Sequence, residues 1–303
     1  MQSNNSKTYE LVLTGLFIAI ILVLANTPLG YIPLGVINAT TIHIPVIIGA
    51  IFLGPKKGGL LGGVFGLSSF IKSTMTPTVS AFVFSPIVAV STLAPEGALA
   101  TIAVVLKSVF IAFVPRILIG VVAYYVFAGV KRVVTSANKK VSGTVINALV
   151  SAFIGFGLYA FLHARLANAS VTILAVVSVI IAIAVFAGIE YLFMNKDGKT
   201  LSFVTAGIAG SMTNTLLVMG GIFVLYKQQY SEACGVAADA LLGIIGGIIS
   251  FNGVIEAIVA GIIVYAVGVV LDKIKPAGVY SNMKTSKIVS TDDAAANREA
   301  AAE

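Results

Sequence analysis

Across 303 residues, 58% are hydrophobic and only 10% are charged, against roughly 25% charged in ordinary soluble domains. Water would have to solvate much of that apolar surface, so composition excludes an ordinary soluble domain and favours an all-α polytopic membrane bundle. The net charge of +7 does not point to nucleic acid, because the basic residues fall at the ends of apolar segments rather than along one face.

In chain order, the first apolar segment is Thr8–Ala25, which follows Lys7. No clear small-x-small cleavage site follows it, so it reads as a transmembrane helix rather than a removed signal. Gly15 and Ala19 lie four residues apart on it, a spacing that lets another helix approach closely, either in this chain or in a partner. Two short segments come next, Thr41–Gly54 and Gly58–Lys72, joined by the turn Gly54-Pro55-Lys56-Lys57-Gly58. A re-entrant loop would leave both lysines near the bilayer centre at roughly +2.5 to +3.5 kcal/mol each, so two crossings are expected. The proline-bearing stretch Ser73–Val105 reads as a long loop. Further spans are expected at Leu106–Val130, Val145–Leu162, Val171–Met194, Ser202–Tyr226 and Val254–Leu271. The segment Lys227–Gly253 is expected as a second long loop, with Ala240–Ser250 an interfacial or re-entrant helix. The membrane domain thus covers 1–275, with 142–194 an inserted hairpin, and the polar tail 276–303 is expected to be disordered.

Placing the N-terminus in the cytoplasm and alternating puts all of the 19 basic residues except Lys72, Lys107, Arg116, Arg165 and Lys227 on the cytoplasmic side. That bias predicts cytoplasmic N- and C-termini.

Polar residues inside spans are costly, and each is a site hypothesis. Arg116 follows Pro115, whose missing N–H frees a carbonyl one turn earlier. Its guanidinium suits a bidentate carboxylate or phosphate; an internal salt bridge or snorkelling is the alternative. Glu256 lies four residues after Asn252, so the two share a face if the helix already includes Asn252. They are suited to a polar solute, but Glu256 is equally suited to pairing with Arg116 or to a helix N-terminus. Thr213 and Asn214 sit mid-span, where a carboxamide needs a helix or ligand partner. Asn38, Thr41 and His43 lead into the second span, and Ser85 precedes Pro86; these are weaker candidates for a pocket mouth. Small pairs recur at Gly59/Gly63, Ala206/Gly210 and Ala257/Gly261.

Cys234 is the lone cysteine, which excludes an intramolecular disulfide. With His43 and His163 it makes too small a ligand set for a structural metal site. Gly198-Lys199-Thr200 imitates a phosphate loop, but Phe193 stands where the first glycine belongs and an apolar helix precedes it. No nucleophile–base pair and no cofactor motif is visible, so neither an enzyme nor a cofactor is expected.

One ordered set of motifs resembles a known family. It comprises Thr14–Ile20, Thr27–Gly35, Ala39–Ala50, Leu53–Lys56, Phe84-Ser85-Pro86, Val114–Gly120, Thr213–Ile222 and Asn252–Ile258. Together these resemble the substrate-specific (S) components of energy-coupling factor (ECF) vitamin transporters, most closely the pantothenate type. The resemblance implies a six-helix subunit that binds its vitamin on the outer side, beneath the loop after the first helix. It implies a partner module of one transmembrane coupling protein and two ATP-binding-cassette ATPases, with membrane lipid around it and no nucleic acid. It also implies that Gly15 and Ala19 replace an Ala-x-x-x-Ala contact to the coupling protein. A stand-alone proton-coupled transporter working through Glu256 and Arg116, and a non-transport membrane scaffold, are the competing readings.

Overall fold

The computed structural model describes residues 2–33, 38–136, 139–166, 168–195 and 199–274. Ten α-helices run as α1 (Gln2–Ala25), α2 (His43–Leu53), α3 (Pro55–Met75), α4 (Pro86–Leu93), α5 (Ala98–Val134), α6 (Lys139–Arg165), α7 (Val171–Asn195), α8 (Lys199–Ala233), α9 (Leu241–Ile248) and α10 (Val254–Ile274) among the described residues. A small antiparallel pair, β1 (Tyr31–Pro33) and β2 (Asn38–Thr40), follows α1. Among the described residues, six helices are long and apolar enough to span a bilayer: α1, α5, α6, α7, α8 and the continuous Leu241–Ile274. The chain is therefore a multi-pass helical membrane protein.

The α2–α3 pair resolves the two short segments. Gly54, at φ +90°, makes the sharp turn between them, a conformation that glycine adopts without a Cβ penalty. Lys57 then forms an ion pair of 2.7 Å with Glu10 near the start of α1. The opposite end of α2 packs near the end of α1, where Gly30 lies against both Leu24 and Ile42. The turn thus lies level with Glu10, in the first half of α1. With 11 residues α2 rises only about 16 Å, far less than a ~30 Å hydrocarbon core. Every one of its residues is buried in protein, so the helix never has to match the lipid by itself.

The expected loops are largely helical. Within Ser73–Val105, α4 starts at a Ser85-Pro86 cap in which the Ser85 hydroxyl accepts the Val88 N–H at 3.2 Å. Within Lys227–Gly253, α8 continues past a kink at Tyr226 to Ala233. Ala240–Ser250 is not a separate re-entrant helix, because α9 passes through a π-helical turn, Ile249–Gly253, directly into α10. These stretches carry enough helix-forming and apolar residues to extend α5, α8 and α10 beyond the expected spans, and they pack on one another at that end. The tail 276–303 lies outside the described residues.

Glycine sets the closest helix contact. On α3, Gly58, Gly62 and Gly66 face α5 at Gly120, Arg116 and Ala112, in antiparallel register. A Cβ on Gly62 would strike the Arg116 carbonyl oxygen. The expected Gly59/Gly63 pair is the wrong face: Gly63 has open space around it, and Gly59 meets only the side chains of Ile117 and Val121. Gly15 and Ala19 likewise lie exposed on α1, with nothing within 4 Å of a Cβ built on Gly15. Gly62→Ala is expected to destabilise the protein by ~1–3 kcal/mol through overpacking, read as a lower unfolding midpoint in detergent. Gly63→Ala should leave the midpoint unchanged or raise it, since helix propensity alone favours alanine by about 1 kcal/mol.

Candidate functional site

Two large apolar cores divide the bundle, beside a small third one of Val134, Phe193 and Leu201. One gathers Phe17, Ile47, Leu61, Phe65, Ile119, Phe203 and Ala260 from α1, α2, α3, α5, α8 and α10. The other gathers Phe82, Ala89, Ile111, Val218, Ile222, Tyr226 and Ile245 from the opposite end. Between them α2, α3, α5, α8 and the π turn with α10 each turn a polar residue inward. Those residues are His43 at the start of α2, Ser68 and Ser69 on α3, Arg116 on α5, Ser211 and Asn214 on α8, and Asn252 and Glu256 around the π turn; all are buried.

Helix contacts fix their common height. On α8, Gly221 packs on Ile111 and Gly210 on Ala123, so Arg116 faces the stretch of α8 that holds Asn214. Gly210 also meets Ile47, one turn from His43. Gly253 packs on Thr215 and Gly207 on Gly261, which brings Asn252 and Glu256 to the same level.

Arg116 is held by a local device. Pro115 cannot donate to the Ile111 carbonyl, and Arg116 Nη1 donates to that oxygen at 2.8 Å. The Phe84 and Phe65 rings lie 4.8 and 5.4 Å from its guanidinium carbon, a cation–π arrangement. Phe84 arrives because α4 and the 3-10 turn Ala81–Val83 fold back over α5.

Glu256 is held by two donors. Its Oε1 accepts the Thr40 backbone N–H at 2.8 Å and the Asn252 amide at 3.3 Å. Asn252 and Glu256 therefore share one helical face, and Leu241, not Glu256, opens that helix. Through Thr40, the strand pair after α1 is fastened over the layer.

The candidates separate by how their polar atoms are used. The Thr41 hydroxyl donates to Leu29 at 2.6 Å and that of Thr213 donates to Ala209 at 2.7 Å. The Ser85 hydroxyl caps α4 and lies 2.7 Å from Thr74 Oγ1. By contrast, both His43 ring nitrogens, Asn214 Oδ1 and Ser211 Oγ have no hydrogen-bond partner among the described residues. Asn38 lies on β2, and its side chain is outside the described ones. Ser211 joins the site although its sequence signal, three residues before Asn214 on one helical face, was available.

Two cavities, of about 460 and 450 Å³, lie apart from this layer. One runs between α6 and α7 beside Gly155 and Ala182; the other lies between α4 and the end of α8 beside Val88 and Glu232. None of the candidate residues lines either. Glu190 on α7, not anticipated as a site residue, accepts from Thr144 at 2.6 Å and from Asn147 at 2.7 Å and fastens α7 to α6. No group of three or more His, Cys, Asp or Glu side chains that would hold a metal ion occurs among the described residues.

An orphaned buried acceptor costs about 1–3 kcal/mol in a protein without ligand. Asn214→Leu is therefore expected to leave the melting temperature of the empty protein unchanged or higher. A marked drop would instead make Asn214 a brace between helices.

Comparison with known proteins fits this geometry. A family model described as "ECF transporter, substrate-specific component" matches residues 10–193. The Pantothenic acid transporter PanT of Lactococcus lactis subsp. cremoris is 34% identical over 161 residues, covering half of this chain and 76% of that protein. The Pantothenate transporter PanT of Leuconostoc mesenteroides subsp. mesenteroides is 27% identical over 274 residues, covering 88% of this chain and 94% of that protein. With the family model spanning more than half of its length, the chain belongs to the substrate-specific components of ECF transporters.

Proposed function

We propose that this chain captures pantothenate, or a closely similar anionic vitamin, in the polar layer between the two apolar cores. The observation that carries the reading is a set of inward polar groups still lacking partners, above all His43 and Asn214, beside a buried guanidinium. Such groups are costly in an empty bundle and become favourable when a polar solute supplies the missing hydrogen bonds. Both relatives are named for transport of the same solute.

Pantothenate matches the inventory group by group. Its carboxylate suits the Arg116 guanidinium as the opposite charge in a charge-assisted pair. Its hydroxyls and amide suit His43, Asn214, Ser211 and Asn252, while Glu256 accepts from a hydroxyl and keeps the strand pair closed through Thr40. Thr41, Thr213 and Ser85 have less to offer, since their hydroxyls already serve the backbone and, for Ser85, also Thr74.

The same reading supplies partners and orientation. Six apolar helices carry no visible ATP-hydrolysing site, so transport draws on an ECF module of one transmembrane coupling protein and two ATP-binding-cassette ATPases. The exposed Gly15 and Ala19 on α1 suit close approach by the coupling protein. The protein sits in a bacterial plasma membrane with both termini cytoplasmic, following the bias of its lysines. The polar layer then lies beneath the strand pair on the outward side.

Arg116→Ala is expected to weaken pantothenate binding at least tenfold, about 1.4 kcal/mol, by isothermal titration of the detergent-purified protein. Unchanged affinity in a folded variant removes Arg116 from the site, and with it the argument for an anionic solute.

A further inference from the structure

The hairpin α6–α7 adds two membrane helices to the side of the bundle; at one end Phe193 packs with Val134 of α5 and Leu201 of α8, and farther along α6 meets the π turn. At three successive turns α6 lies against the π turn and the start of α10. Gly157 packs so tightly on Val254 that a Cβ there would overlap the valine Cγ1. The Phe161 ring stacks on that of Phe251 at 5.1 Å, and the Arg165 guanidinium carbon lies 5.3 Å from the same ring. The opposite face of the turn holds Asn252, and Gly253 rests against Thr215 of α8. A π turn is rare, persists where its surroundings hold it, and concentrates at functional sites. Here it is clamped between α8 on one side and α6 on the other.

The clamp has a consequence for the polar layer. Phe251 and Val254, which α6 grips, lie on either side of Asn252, and Val254 is within one turn of Glu256. Those two residues are hydrogen-bonded to each other, and Glu256 in turn receives the Thr40 N–H. The hairpin itself is stiff: Thr144 and Asn147 bind Glu190 at one end, and Gly155 packs on Ala182 farther along. We infer that α6 is a positioning element of the solute site, with Gly157 and Phe161 setting the π turn that presents Asn252 and Glu256 and keeps the strand pair fastened. The solute half of this inference rests on the proposed vitamin reading; the fastening half does not.

The experiment has two arms on the full-length protein in nanodiscs. The first follows hydrogen exchange at the Thr40 amide without ligand. Gly157→Ala and Phe161→Ala should each speed that exchange at least tenfold. Val254→Ala, which removes the overlapping methyl, should restore most of the protection to Gly157→Ala. Unchanged Thr40 protection in both single variants overturns the inference, whatever their melting temperatures do. The second arm titrates pantothenate. Each single variant should raise Kd about tenfold, and Phe161→Ala should add nothing to Asn252→Ala while adding fully to Asn214→Ala. Equal additivity with both would also overturn it, since a general loss of stability does not distinguish α10 from α8. A wild-type protein that binds no pantothenate counts against the proposed vitamin, and the exchange arm still decides the role of α6.

Discussion

Burying a guanidinium and a carboxylate in the middle of an apolar bundle costs several kcal/mol per ion unless hydrogen bonds and opposite charge offset it. In this protein the offset is built from the backbone. Arg116 takes the carbonyl that Pro115 leaves free, and Glu256 takes the N–H of Thr40. Each group is thereby fixed in direction before any solute arrives. The rest of the architecture follows from keeping this layer dry. Apolar cores close it from both ends, glycines let α3 approach α5 at the height of Arg116, and the strand pair after α1 is drawn across it.

Hydroxyls and other polar side chains behave differently in such a layer. Serine and threonine can turn back to a carbonyl within one helical turn, as Thr213 does to Ala209, and so need nothing further. An imidazole or a carboxamide has no equally easy local partner. His43 and Asn214 are therefore left with unmet bonding capacity where Thr41, Thr213 and Ser85 are not. That distinction converts a list of polar residues into a short set suited to a solute.

Much of this was legible in the sequence. Apolar runs of span length marked the helices, Pro-Arg inside one of them marked a freed carbonyl beside a cation, and Asn252 and Glu256 at spacing four marked a shared face. The face of α3 was not legible, because Gly58/Gly62/Gly66 and Gly59/Gly63 give the same small-residue pattern and only the packing partner distinguishes them. Nor was the π turn, since a shift in backbone hydrogen bonding by one residue needs no special side chain. Long proline-bearing segments read as loops although Pro86 in fact opens a helix behind its Ser85 cap. Glu190 was visible as a carboxylate within an apolar run, and its partners Thr144 and Asn147 lie on a different helix, which no local pattern reveals.

The most direct test is an experimental structure of the protein saturated with pantothenate. The account predicts one molecule between the two apolar cores, its carboxylate on Arg116 and its polar groups within hydrogen-bond reach of His43 and Asn214, with Thr40 still bound to Glu256. A ligand seated instead in the cleft beside Val88 and Glu232, or in the groove between α6 and α7, with the layer around Arg116 unoccupied, would contradict it.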